Sequence, residues 1–144
     1  MNSEEVSLVQ TSFTELRPSA LVVAELFYRR LFTLDPSLRP LFKGDMTHQG
    51  RMLMSMLHAS VNGLSNLGAL LPVVRQLGAR HVAYGVRDEH YATVGSALLW
   101  TLEQTLGEKF TPQVLHAWTT AYELLADIMQ FGAKETHNAP AVSV

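Results

Sequence analysis

His81 closes an apolar helical pattern. Leu70, Leu71, Val74, Leu77 and His81 recur at steps of three and four, so the imidazole continues the inward face. Tyr84, Gly85 and Val86 then break the helix, and a second helical run is predicted from near Asp88. An inward imidazole at a helix end, with a break behind it, is placed to reach a metal ion. Taken alone, the same pattern serves a structural histidine bonded within a core. The company of His81 adds to the metal reading: Tyr28, Phe42, Gln49 and Leu53 precede it, and Tyr91 follows. A haem that takes up oxygen needs these residue types. One neutral imidazole must sit below the iron, with an apolar wall to keep out water and anions. A few donors must sit above it, because oxygen held there acquires negative charge. A phenol hydroxyl and a glutamine amide can both donate.

The elements that must position these residues read as helices almost throughout, with no convincing strand. Ser3 is a candidate N-cap for a first helix whose face is Val6, Val9, Phe13 and Leu16. Pro18 opens a second helix carrying Val22, Val23, Leu26, Phe27, Arg30 and Leu31, which ends before Asp35 and Pro36. Two prolines between Pro36 and Phe42 permit only short turns, and Lys43 to Thr47 read as a loop. Periodicity resumes through Gln49, Leu53, Met56, Leu57, Ser60, Val61 and Leu64. The His81 helix is predicted from near Leu70, with Pro72 in its first turn. A long helix after Val86 turns Tyr91, Val94, Leu98, Thr101, Leu102 and Thr105 inward and is closed by Gly107. Thr111 and Pro112 form a start signal, and Val114, Leu115, Trp118, Tyr122, Leu125 and Met129 make the face of the last helix. One domain over residues 1–132 and a flexible tail over 133–144 are expected, with no repeat or linker.

Composition narrows the class. The chain has 144 residues, 47% hydrophobic and 17% charged, which suits one globular domain. A net charge of −2 and no long basic run argue against nucleic acid and acidic membranes as main partners. The polar N-terminus has no apolar signal core, and no apolar run approaches the roughly 20 residues of a membrane span. A cytoplasmic location is expected. The absence of cysteine excludes disulfides, thiolate ligation and covalent haem attachment. No P-loop, dinucleotide-binding glycine pattern or HExxH occurs.

Tyr28 in LFYRRLF, Phe42 in DPSLRPLF, Gln49 and Leu53 in HQGRML, His81 in ARHVAYGV and Tyr91 in HYATVG resemble the bacterial globins. The similarity is greatest to single-domain haemoglobins and the globin domain of flavohaemoglobins, from about residue 5 to 131. The 32-residue gap from Gln49 to His81 suits that family. The resemblance implies an all-α globin fold, a three-over-three helical sandwich with helices crossing near 50° around a haem. It implies haem b, bound non-covalently, with His81 as the proximal iron ligand. It makes Tyr28 and Gln49 the distal pair that stabilises oxygen, Leu53 the apolar residue over the iron, and Phe42 the wedge against the porphyrin. Tyr91 would support the proximal imidazole, and Arg80 is placed to pair with a haem propionate. Leu57, Tyr84, Val86 and Val94 would be pocket walls.

Plainer readings stand beside these. Phe42, Leu53, Leu57 and Val94 would be core in any helical bundle, Tyr28 could bond a carbonyl, Gln49 could face solvent, and Arg80 could be an ordinary surface charge. Met52, Met54 and Met56 read as flexible packing. The family's glutamate in the last helix falls at Ala133 here, with Glu135 two positions off, so His81 should be a weaker electron donor. The loop before Gln49 is about three residues short of the family's. His48, one residue before Gln49 and about 100° around a helix from it, could reach the iron in a bis-histidine form.

The expected function is reversible, high-affinity binding of oxygen. One alternative is nitric oxide dioxygenation with an external reductase, since the chain ends where a flavin domain would begin. A haem-based gas sensor and a haem-free interaction module are further alternatives. Expected partners are oxygen, nitric oxide and carbon monoxide, with the chain a monomer or weak homodimer.

Overall fold

The apolar segments read from the sequence are helical in the structure, a computed structural model that describes residues 1–138. In order they are α1 (Ser3–Leu16), α2 (Ala20–Leu34), α3 (Met46–Gly63), α4 (Leu67–Ala83), α5 (Asp88–Leu106) and α6 (Pro112–Asn138). Short 3₁₀ segments lie at Arg17–Ser19, Pro36–Leu41 and Gly107–Lys109, and no strand occurs among the described residues. The helices form the expected three-over-three sandwich. α4 packs most extensively on α6, α2 crosses both α5 and α3, and α1 crosses α6. No helix among the described residues is long and apolar enough to cross a membrane.

Local chemistry explains most boundaries. Asn2, rather than Ser3, caps α1: its side-chain oxygen accepts from the Glu5 N–H at 2.8 Å, and the Glu5 carboxylate accepts from the Asn2 N–H at 3.0 Å. Asp45 caps α3 by accepting from the Thr47 N–H at 3.0 Å, so the predicted loop shrinks to Lys43, Gly44 and Asp45. Thr111 caps α6 through the Val114 N–H at 3.2 Å, as the sequence predicts. α4 starts at Leu67, three residues before the predicted start, and holds Pro72 in its interior. That is tolerated because Gly68, whose carbonyl the proline leaves unpaired, is exposed to water.

One apolar core runs between α1, α2, α3, α5 and α6 through Val9, Leu31, Val61, Leu102 and Trp118. A second, smaller one beneath α4 joins Leu70 and Val74 to Leu125 and Ile128. The buried Trp118 indole N–H donates to Ser12 Oγ at 2.8 Å, and that hydroxyl donates to the Leu8 carbonyl at 2.7 Å, so both polar groups are satisfied. Glycines set the closest crossings. A Cβ on Gly78 would lie 1.9 Å from the Met129 carbonyl oxygen, and one on Gly132 would lie 2.1 Å from that of Arg75. α4 therefore meets α6 main chain to main chain.

Several inward assignments change. Val22, Leu71 and Leu115 are 56%, 41% and 41% exposed. α4 rests mainly on α6, with a smaller contact to α3, so its apolar stripe is wider than its contact. α6 also passes the predicted boundary at residue 132. It runs to Asn138, with Ala133 buried and Glu135 paired to Arg75 of α4 at 2.6 Å. The remainder of the expected tail lies outside the described residues.

Candidate functional site

Two groups of the sequence-predicted residues face the interior, one on α2 and α3, the other on α4 and α5. Tyr28 is buried in α2 within a cage of aromatic rings. Phe27 lies 5.1 Å away edge-on, Phe42 5.3 Å edge-on and Phe32 5.9 Å stacked, measured between centroids. Such pairs prefer these offsets, so the phenol ring has little freedom to turn. The Gln49 amide Nε2 donates to the Tyr28 hydroxyl oxygen at 3.4 Å. The phenol accepts that bond and makes no other among the described residues, so its own hydrogen remains available. Burial raises the Tyr28 pKa, only partly offset by the Gln49 bond, and the phenol stays protonated.

A small residue brings Gln49 to Tyr28. Its neighbour Gly50 would place a Cβ 3.0 Å from the Ala24 Cβ of α2, so α3 crosses α2 closely at that step. Leu53, Leu57, Phe42 and Val94 are half-buried and pack against the core, Phe42 directly on Tyr28. His48 is exposed, and Gln49 takes the inward place.

On the other side, His81 sits in the last turn of α4. Its Nδ1 is buried with no hydrogen-bond partner. Burial pushes the imidazole pKa down, and the adjacent Arg80 guanidinium lowers it further. The ring is therefore neutral and keeps a lone pair for a metal. Tyr91 packs edge-on to it at 6.5 Å between centroids, and the buried Tyr91 hydroxyl likewise has no partner. Buried polar atoms are rarely left unpaired, and two such atoms side by side mark a site completed by something other than this chain. Val86 is half-buried and Arg80 exposed. Tyr84 is 62% exposed at the end of α4, and the structure does not bring it into this group.

The residues behind Tyr91 were not singled out for a role in the sequence. The Tyr122 hydroxyl donates to the Tyr91 carbonyl at 2.6 Å, and its ring lies flat on α5 because Gly95 leaves room. A Cβ on Gly95 would meet that ring at 2.7 Å. Glycine within an unbroken helical pattern was the signal available. Ala133 occupies the position where a carboxylate was expected, and Glu135 is held by Arg75.

No cluster of three metal-ligating side chains occurs among the described residues. One bare imidazole suits a metal that carries its remaining ligands with it. A protonated phenol beside an amide suits a small guest with negative charge.

A family model described as Globin matches residues 25–129. A flavohemoprotein of Bordetella parapertussis is 35% identical over 133 residues, covering 90% of this chain and 33% of that protein. One from Halalkalibacterium halodurans is 31% identical over 131 residues, covering 89% of this chain and 32% of that protein. The chain thus spans about a third of the length of these relatives. Among solved structures, an engineered carbene transferase superposes with a TM-score of 0.85 at 27% identity, over 95% of this chain and 96% of that one. It derives from a Rhodothermus marinus protein assigned as a nitric oxide dioxygenase. A bacterial globin from Campylobacter jejuni superposes with a TM-score of 0.84 at 23% identity, over 95% of this chain and 99% of that one, and shows the shared fold.

Proposed function

The chain belongs to the globin family, and from that premise we propose that it binds haem b non-covalently and takes up oxygen reversibly, with high affinity. The observation that carries this reading is the buried Tyr28 hydroxyl, which accepts from Gln49 and keeps its own hydrogen free. When bound, the haem supplies the iron that takes up a diatomic gas. The chain supplies the rest. His81 offers the neutral ring nitrogen that ligates the iron, and Tyr91 bounds the plane in which that ring can turn. Phe42, Leu53, Leu57, Val86 and Val94 hold the porphyrin and keep water and anions away. Arg80, exposed at the end of α4, would be free to pair with a haem propionate. Tyr28 donates to a guest that has drawn negative charge, and Gln49 holds the phenol in place and adds a second donor.

The fit rests on the neutral His81 ring, whose buried Nδ1 has no partner within the chain, and on the equally unpartnered hydroxyl of Tyr91 packed edge-on to it. Visible spectra of the purified protein in ferric, ferrous and oxygenated forms test it. A Soret band is expected in all three, shifting on oxygenation and lost or displaced in His81→Gly. Colourless protein after growth with ample haem, or an unaltered spectrum in His81→Gly, overturns the reading.

Nitric oxide dioxygenation is the second reading. It is favoured by the similarity to flavohemoproteins and to the Rhodothermus marinus protein. The reaction consumes oxygen and nitric oxide and yields nitrate, so a reductase partner must return the iron to the ferrous state. Multiple turnovers with a surrogate reductase support this reading, and a single turnover leaves gas binding alone.

A further inference from the structure

We propose that the groove between α1, α2 and α3 binds a carboxylate-bearing amphiphile, a medium-chain carboxylate of about eight to ten carbons. The groove lies on the face of α3 formed by Arg51, Met54 and His58, whereas Gln49 and Leu53 belong to the candidate pocket. Its volume is about 480 Å³, within the usual range of about 300–1,000 Å³ for small-molecule sites. Phe13, Leu21 and Met54 supply apolar lining, and Arg17, Arg51 and His58 supply the polar part, with no acidic residue among the lining side chains. Leu21 is 53% exposed and leaves apolar surface at the groove beside the two cations.

Charge decides the headgroup. Arg29, Arg75, Arg87 and Lys109 each stand within 4.0 Å of a carboxylate elsewhere on the surface. Arg17 and Arg51, like Arg30, Arg39, Lys43, Arg80 and Lys134, stand beside no carboxylate; of these only Arg17 and Arg51 line the groove, and their guanidiniums make no hydrogen bond among the described residues. Guanidinium presents a planar fork that matches a carboxylate. His58 packs on Phe13 at 6.0 Å, and its buried Nδ1 has no partner. An acidic bilayer would need a broad cationic face, and this chain has a net charge of −2. A single amphiphile, tail on Phe13, Leu21 and Met54 and carboxylate between the two guanidiniums, meets both the apolar and the charged demand.

The test is a titration of the ¹⁵N-labelled full chain with octanoate and decanoate, as ferrous carbonyl protein where haem is present. Saturable amide shifts are expected around Phe13, Leu21 and Met54. Each fully buried methylene is worth about a factor of four, so decanoate, with two more, should bind about fourfold to fifteenfold more tightly than octanoate. Arg17→Gln with Arg51→Gln, both exposed positions, should weaken octanoate at least fivefold while circular dichroism stays unchanged, and 1-octanol should bind more weakly than octanoate. Shifts centred on Tyr28, Leu53 and Val94, indifference to the double substitution, or binding only to vesicles of acidic lipid would each overturn the proposal. The site does not depend on haem: colourless protein that still takes octanoate in the groove would sink the haem reading and leave this one standing.

Discussion

Tyr28 shows how much one side chain's surroundings decide. A hydrogen bond to a charged acceptor is worth about 1.5–3 kcal/mol, so Tyr28→Phe should speed oxygen dissociation about 10- to 100-fold in stopped flow. Gln49→Leu should have the smaller effect, because its 3.4 Å bond to the phenol is long. An unchanged off-rate in Tyr28→Phe removes the phenol from the mechanism. The sign of the pKa shift adds a pH prediction. Burial raises the Tyr28 pKa above its ordinary value of 10.0, which favours the protonated, donating form. The off-rate should therefore show no rise from phenol ionisation between pH 6 and 9, and a rise that vanishes in Tyr28→Phe would contradict it. Tyr91→Phe differs, since its hydroxyl has no partner to lose. Thermal unfolding of that variant should be unchanged or slightly higher in temperature. Tyr28, Gln49, His81 and Tyr91 were marked in the sequence by residue type, spacing and the resemblance to bacterial globins, and the structure pairs Tyr28 with Gln49 and His81 with Tyr91. The periodic face already carried Gln49, and the packing keeps it half-buried with His48 exposed.

At the scale of elements, the crossings do the positioning. Gly78 lies one helical turn before His81, and its hydrogen faces the Met129 carbonyl. Gly78→Ala must push α4 from α6, because the obstructing atom is main chain. Overpacking of this kind costs about 1–3 kcal/mol, and a fall of several degrees in melting temperature is expected, with weaker haem retention. Gly68→Ala is the control. Its Cβ would meet nothing closer than 3.9 Å, so the same change in the same helix should be neutral or mildly stabilising. Equal losses in the two variants would overturn the assignment of the effect to the crossing, because alanine is the better helix former at both positions. The sequence did not disclose these joints. A glycine inside a helical pattern lowers confidence in the helix, and nothing in one chain's order says which main chain it will meet. The same blindness put Leu71 and Leu115 indoors. Periodicity gives the direction of a stripe, whereas its width is set by neighbours that only the fold supplies.

The whole molecule depends on ties between distant segments. Trp118 of α6 and Ser12 of α1 are joined by a buried 2.8 Å hydrogen bond. Ser12→Ala would leave the indole N–H without its acceptor and should cost about 1–3 kcal/mol, read from denaturant unfolding with an unchanged m-value. The all-helical class was readable from pattern and resemblance, and the contact of His81 with Tyr91 across the α4–α5 turn agrees with the resemblance. The reach of α6 to Asn138 was not readable, because Ala133 and Glu135 look like tail until α4 is beside them. That seam has a consequence for how the chain can drift. Where two backbones touch, no compensating swap at a neighbouring position can restore room for a methyl group. A randomised library selected for pigment should thus return glycine at 78 and 132 in nearly every survivor, while the exposed positions around them wander freely.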